Sequence, residues 1–546
     1  MRLTTTLAAA TLCTLGLGAG TAAAAATLPA PPNPASINKQ SQRQLQQLEQ
    51  GNGLPQQAPV RKAPARHGKQ RAAKGPTFLL RGVRVDATRF LRPAQVQAIT
   101  SRYVGKTVDI ATLRHMVDEI NALLEKSSVV TASAYLPPQT IRGGVVHVAI
   151  LQGRLGRLQV AGAKELKPAF VRSYVPVRPG QVINLSRVAH DLARFNDTGL
   201  ARLQALVRPG ARFGLTDIEL AVTEPPRDLL QVFVDNEGVP TVGRNEIGAL
   251  YQHYAPSGID DRITLYALKS EGNATLSAAY DRPINALGGR AGFSVTSGSI
   301  RDIAGIYQAL GITGWSESVS ANAAQPLHVG RNLFVLGTAS LTYEVSRSFE
   351  IGTTVASDST RLESLGLRFG YTVPGMSAGA TVANTFAQSH SNVSGANSHF
   401  DLLGGTFYLR RALTRGFVGS ATGAWQLSSD EFIPGGQLFQ VGGPTTVRGY
   451  PADALSGPTG YYANFAVHHA LHLGGSRPID GFLFVDQGGV FNHFPRYQGL
   501  RSVGAGCSWQ LSRRVTARVV LGVPTQEVVY NQANTQIYLS LVARVL

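Results

Sequence analysis

The chain has 546 residues, with 51 Lys plus Arg against 33 Asp plus Glu, a formal net charge of +18, 43% apolar residues and only 15% charged ones. At about 150 residues per domain there is room for three or four domains, and this composition excludes a disordered polymer or a charge-rich nucleic-acid tail. Two cysteines exclude a disulfide scaffold, and 59 glycines, well above the usual ~7%, point to many strands, tight turns and close backbones.

Residues 1–26 hold Arg2, a Thr-broken apolar run from Leu3 to Leu17, and an Ala-x-Ala-like site at Ala24 to Ala26. That is the layout of a secretory signal peptide, as in a Gram-negative bacterium, and the run falls short of the ~18 clean apolar residues of an anchor. Leu12 before Cys13 is the wrong residue for lipidation. After cleavage Cys507 stands alone, so no intramolecular disulfide is expected. No later stretch reaches ~18 consecutive apolar residues, but the outer membrane accepts closed barrels of alternating strands.

Residues 27–36 are Pro-rich, and 35–50 contain good helix formers. Ile37, Leu45 and Leu48 are too few for a core face, so such a helix either fills a polar cavity or frays, and residue physics alone favours fraying. Residues 51–76 form a Pro/Gly linker whose charges, Arg61, Lys62, Arg66, Lys69, Arg71 and Lys74, are all positive. It reads as a solvated linker or as a segment drawn to anionic lipid or an acidic partner.

Residues 77–151 read as one small α+β domain. Pro93 opens a helix, Asp109 caps a second one carrying Ile110, Leu113, Val117, Ile120 and Leu124, and two alternating strands follow. Residues 152–226 repeat the scheme, with Asn184 capping a helix that bears Leu185, Val188, Leu192 and Phe195. From Arg227 to Leu546 helical periodicity disappears. Short alternating segments are separated by Gly, Pro, Asn, Asp and Ser, with room for about 16 membrane strands of ~9–11 residues. In the last one Ile537, Leu539, Leu541, Ala543 and Val545 share a face, and Gln536, Tyr538, Ser540 and Arg544 share the other. The competing architecture is a large soluble sandwich or a propeller, and for the propeller no ~40-residue repeat is visible.

Four motifs then fall in order: SAYLPPQTIRGGVVHVAILQGRL (133–155), VDNEGVPTVGRNEIG (234–248), VGGPTTVRGYPADALSG (441–457) and FLFVDQGGV (482–490). Over residues ~35–546 the chain resembles the outer-membrane transporters of two-partner secretion, the haemolysin secretion/activation proteins of the Omp85 superfamily. The resemblance implies a mainly β fold: a C-terminal transmembrane β-barrel of about 16 antiparallel strands (227–546), preceded by two α+β POTRA domains (77–151 and 152–226), a basic linker (51–76) and an N-terminal plug-like helix (35–50).

It also implies that a long extracellular loop, the sixth, folds back into the lumen with its tip Val447, Arg448, Gly449 and Tyr450 against a wall motif of Phe484, Asp486 and Gly488. Strand alternation agrees, since Phe482, Phe484 and Asp486 share one face and a carboxylate is costly against lipid. The alternative is a solvated β-turn. In the second POTRA domain, Leu185, Val188 and Leu192 are the candidate client-binding residues, beside a sheet edge that an extended chain could join. Two departures stand out. The chain ends in Leu546 where members usually end in an aromatic residue, and 35–50 fit the plug helix by composition and position only.

The implied function is type Vb secretion: export of an unfolded partner exoprotein, an adhesin, cytolysin or similar, by a monomer in contact with outer-membrane lipid and lipopolysaccharide. An assembly factor for other barrels and a passive gated porin are the alternatives. His468, His469 and His472 read as lumen or interface residues, because two strand residues four apart lie ~13 Å apart, too far for one metal. No nucleophile elbow, Walker loop or metal motif occurs, so neither an enzyme nor a cofactor is expected. Nucleic acid is not expected as a partner, because the Arg residues are spread over strands rather than clustered with stacking aromatics.

Overall fold

The computed structural model describes residues 31–50, 60–62, 77–87, 91–126, 132–212, 215–452, 454–471, 477, 479–530 and 532–546. The expected signal peptide, most of the linker and His472 lie outside the described residues. Helix α1 (Pro34–Gln50) starts where the Asn33 side chain accepts from the amides of Ala35 and Ser36, at 3.0 and 3.2 Å. From the linker the structure retains a short strand, β1 (Val60–Lys62).

The first periplasmic unit runs β2 (Phe78–Leu79), β3 (Gly82–Val85), α2 (Pro93–Thr100), β4 (Thr107–Val108), α3 (Ile110–Lys126), β5 (Ala132–Tyr135) and β6 (Val145–Gln152). Its sheet has the order β3-β6-β5. Helix α3 is capped as its sequence predicts: Asp109 Oδ1 accepts from the Thr112 amide at 2.8 Å. Leu113, Val117, Ile120 and Leu124 then face Val146 and Val148 of the sheet.

The second unit runs β7 (Arg154–Ala161), α4 (Pro168–Ser173), α5 (Leu185–Thr198), β8 (Arg202–Pro209) and β9 (Leu215–Thr223). Asn184 caps α5 by accepting from the Arg187 amide at 3.1 Å. The sheet order is β1-β8-β9-β7, so the linker strand has joined the edge of this domain, parallel to β8, with Val60 opposite Ala205 and Lys62 opposite Val207.

The barrel opens with β10 (Asp228–Asp235), β11 (Glu246–Tyr254), β12 (Arg262–Lys269), β13 (Asn273–Pro283) and β14 (Arg290–Arg301). Longer strands follow: β15 (Thr313–Val329), β16 (Leu333–Glu350), β17 (Thr353–Val373), β18 (Met376–Ser391), β19 (Asn397–Ala412) and β20 (Phe417–Ser428). In the next connection β21 (Phe439–Val441) and β22 (Leu455–Gly457) form a small hairpin. Then β23 (Thr459–Leu471), β24 (Ile479–Phe491), β25 (Tyr497–Gln510), β26 (Val515–Pro524) and β27 (Gln536–Arg544) complete the wall.

Strand β27 pairs with β10, from Gln231 opposite Arg544 to Asp235 opposite Ser540, and closes 16 antiparallel strands. Closure removes every free edge, which a membrane span requires. Alternation sorts the side chains: Leu265, Leu276, Leu365, Leu483 and Ile537 are exposed outside, whereas Gln252, Thr275, Ser277 and Asp486 are buried inside. The C-terminal strand follows its predicted faces, with Ile537, Leu539 and Leu541 exposed and Gln536 and Tyr538 buried.

Candidate functional site

The connection between β20 and β23 folds into the lumen, and its tip is buried: Val447, Arg448 and Tyr450 all lie in the interior. Strand alternation places Phe482, Phe484 and Asp486 of β24 on the lumen side. Asp486 is fully buried and meets Arg448 there. Its Oδ2 accepts from the Arg448 backbone amide at 3.0 Å and from Nε at 2.7 Å, and its Oδ1 accepts from a terminal guanidinium nitrogen at 2.6 Å. This is the bidentate geometry that makes an Arg–carboxylate pair strong. The guanidinium carbon lies 3.5 Å from the Phe484 ring centre and 5.9 Å from that of Phe482, so the aromatic residues beside the carboxylate act as a platform for the cation.

The glycines are required by contact. Gly449 has φ +102°, and a Cβ there would meet the backbone of Gly522, Val523 and Pro524 at 3.1–3.2 Å. A Cβ at Gly488 would meet Val441 Cγ1 of the β21 hairpin at 2.7 Å. Val447, Tyr450, Leu455, Val490 and Leu500 share one apolar cluster around the tip. The Tyr450 hydroxyl sits 3.0 Å from the carbonyls of Arg501 and Gln526.

The structure thus brings the tip and the wall motif together, and it adds residues that sequence reasoning missed. Tyr538 of β27 donates to the Tyr450 carbonyl at 2.9 Å and accepts from the Gly449 amide at 3.2 Å. Its face on β27 had marked it as inward, but nothing local linked it to residue 450. Arg518 lies over the Phe482 ring at 5.9 Å and 4.0 Å from Glu237.

Helix α1 fills the lumen rather than fraying. Its polar side chains find partners on the wall: Asn38 donates to the Ser316 carbonyl (3.1 Å), Gln42 to Thr296 (2.9 Å) and Gln44 to Asp235 (2.9 Å). Lys39 donates to Gln437 at 2.6 Å and to the Gly436 carbonyl, both in the sixth loop. Glu49 pairs with Arg262 at 3.2 Å and accepts from Gln252 at 2.9 Å. Leu45 joins Phe233, Leu250, Tyr266 and Leu268 in a small apolar cluster. The expectation of fraying fails because a polar cavity satisfies a polar helix, which an amphipathic test does not register.

The expected client-binding residues are corrected. Leu185, Val188 and Leu192 are 6%, 1% and 0% exposed and form the core of the second unit with Phe195, Leu203 and Leu220. Their helical spacing marks the face turned to the sheet, which leaves no apolar surface of theirs for a client. The neighbouring β8 edge is covered by β1. Of the histidines, His468 points inward to Asp480 at 3.0 Å, while His469 stacks on Phe417 with ring centres 4.4 Å apart. Asp260 and Asp261, in the turn between β11 and β12, are both buried.

Comparison with known proteins matches this architecture. Residues 78–153 match a POTRA domain of the ShlB type, and residues 214–511 match the haemolysin secretion/activation protein ShlB/FhaC/HecB. The outer membrane transporter CdiB of Dickeya dadantii (strain 3937) is 22% identical over 537 residues, 92% of this chain and 91% of that protein. The heme/hemopexin transporter protein HuxB of Haemophilus influenzae is 23% identical over 478 residues, 81% of this chain and 83% of that protein. The solved structure of CdiB from Escherichia coli superposes with a TM-score of 0.70 at 18% identity, covering 93% of this chain and 98% of that one. The family model thus matches more than half the chain and the POTRA model its first periplasmic unit: the chain belongs to the haemolysin secretion/activation family ShlB/FhaC/HecB, the outer-membrane two-partner secretion transporters of the Omp85 superfamily.

Proposed function

We propose that the POTRA domains take up one unfolded exoprotein in the periplasm and that the barrel passes it to the cell surface. The observation that carries this reading is the course of the N-terminal segment. A polar helix occupies the lumen, and residues 51–59 join it to a strand on the β8 edge. An extended client adding at that edge would displace β1, because one edge accepts one strand. Displacing β1 slackens the tether on α1, whose contacts in the lumen are mostly hydrogen bonds that water can replace, beside the Glu49–Arg262 pair and the small apolar contacts of Ile37 and Leu45. Occupied receptor and vacated pore are thereby coupled. Folding outside would bias the movement outward without a nucleotide. We further propose that the domains run 77–151, 152–226 and 227–546, and that the transporter acts as a monomer in contact with lipopolysaccharide.

The test compares culture supernatant and outer membrane with and without this gene by mass spectrometry. Loss of one large exoprotein from the supernatant, with its retention in the periplasm, is the expected result. A general fall in outer-membrane barrels with an unchanged supernatant would favour an assembly factor instead.

A further inference from the structure

The turn from 255 to 261, between β11 and β12, reaches out of the barrel into the second POTRA domain. Tyr254 and Ala255 are members of that domain's apolar core, packed with Phe195, Leu203 and Leu220. At the end of the turn Asp260 is fully buried and held at φ +64°, a left-handed conformation that costs a non-glycine residue on the order of 1 kcal/mol or more. Every acceptor site of its carboxylate is in use. Oδ2 accepts from the Leu200 amide at 2.9 Å, and Oδ1 accepts from the Ala201 amide at 2.9 Å and from the Tyr254 hydroxyl at 2.9 Å. Arg290 of β14 donates to Oδ2 at 3.1 Å and to the Asp260 carbonyl at 3.0 Å, and its guanidinium also grips Asp281.

Leu200 and Ala201 lie between the Gly199 cap of α5 and the start of β8, so a barrel carboxylate holds the connection from that helix to the strand. Around this point the joint is extended by further bonds. The Lys167 amide donates to the Gly258 carbonyl at 3.0 Å, Tyr174 to the Asn285 carbonyl at 3.3 Å, and Arg194 to the Ala286 carbonyl at 3.2 Å. By default, domains joined by modest polar interfaces move relative to each other. This joint is different, because it shares a hydrophobic core and buries a charge whose partners come from both sides. Pulling the two apart would break the Leu200 and Ala201 amide bonds to Asp260 and expose the shared apolar core to water.

We infer that Asp260 is a positioning residue that fixes the second POTRA domain to the barrel, so that the two act as one rigid body throughout transport and the client-accepting edge stays aligned with the pore. Movement during transport is then confined to the linker, α1 and the first POTRA domain, whose separate core contains no residue of the second. This inference rests on the proposed function, and the experiment separates the two.

The test installs Thr198→Cys with Gly288→Cys, because a Cβ at Gly288 would lie 2.9 Å from Thr198 Oγ1. A second pair, Arg194→Cys with Ala286→Cys joined by a short bis-maleimide, avoids the left-handed Gly288 (φ +82°). In intact outer membranes without client, both pairs should cross-link nearly completely. Adding Asp260→Ala should cut the yield several-fold while the folded barrel keeps its heat-modifiable mobility. An unchanged yield would overturn the positioning role whatever the client proves to be. With client present, the cross-linked transporter should secrete as well as its reduced form. Secretion that stops on cross-linking and, for the disulfide pair, returns on reduction would overturn the rigid-body inference.

Discussion

Releasing the loop-six tip should need the loss of only one carboxylate. Asp486 is 0% exposed and the Arg448 side chain 10%, so water screens their contact little. Truncating one partner of such a buried pair typically costs ~3–5 kcal/mol, because the remaining charge is left without compensation. At ~1.4 kcal/mol per tenfold change, Asp486→Ala should shift the ratio of released to seated loop by about two to three and a half orders of magnitude. Arg448→Lys keeps the charge but loses the fork and the planar stack on Phe484, so a smaller shift of about tenfold is expected.

The tip reports on its own position. Val447 is fully buried in the seated loop, so Val447→Cys reacts with a membrane-impermeant maleimide only when the loop is released. If opening and closing are fast, the labelling rate follows the released population. The exposed pair Arg361–Glu363 on the outer wall serves as a control, since surface pairs contribute only ~0–1 kcal/mol. Labelling that rises no more than about threefold in Asp486→Ala, with the barrel still heat-modifiable, would show that the apolar cluster around Val447 and Tyr450 holds the loop without the ion pair.

Other outcomes follow from the same geometry. Deleting residues 31–50 should raise single-channel conductance in planar bilayers, because α1 fills the lumen; an unchanged conductance would place another obstruction in the pore. Arg61→Pro removes an N–H from the strand on the β8 edge and should tighten client binding in a titration with purified transporter. Leu192→Ala should destabilise the second POTRA domain by ~2–5 kcal/mol, seen as faster hydrogen exchange across 185–207; normal exchange with lost client binding would restore Leu192 to the client surface. In the first POTRA domain, the Thr112 hydroxyl and then its amide hold the Asp109 carboxyl below the usual carboxylate range. A carboxyl lowered on folding contributes stability above its unfolded pKa of about 3.9 and loses it as pH falls through the folded value. Peptides from 110–126 should therefore lose exchange protection on the acid side, and Asp109→Asn should flatten that dependence.

Local rules carried much of this structure. Period-two alternation located the barrel and turned Asp486 inward, and cap residues at Asp109 and Asn184 marked the starts of α3 and α5. The meeting of Arg448 with Asp486 spans 38 residues, and only the family motifs connected them. What remained illegible depended on partners distant in sequence. Asp260 reads as one acid in a turn, and its role appears only when Leu200, Ala201 and Arg290 surround it. Leu185, Val188 and Leu192 show the opposite failure: a clear apolar stripe was read as a binding face when the first claim on such a stripe is the domain's own core.

The contrast between α1 and the loop-six tip explains how one barrel can hold two obstructions of different permanence. Helix α1 is retained mostly by single hydrogen bonds from Asn38, Lys39, Gln42 and Gln44, by the partly exposed Glu49–Arg262 pair and by the small apolar contact of Leu45. Exchanging such bonds for water costs little, about 0.5–1.5 kcal/mol for a neutral pair and ~1.5–3 kcal/mol where a charged group takes part, and the bonds need not all break at once. The tip is retained by a desolvated ion pair and an apolar cluster, and water replaces neither cheaply. A client pulling on the N-terminal segment would therefore withdraw the helix while the sixth loop stays seated. In this chain, the pore would open by loss of its plug, with the lock acting to keep the wall in shape.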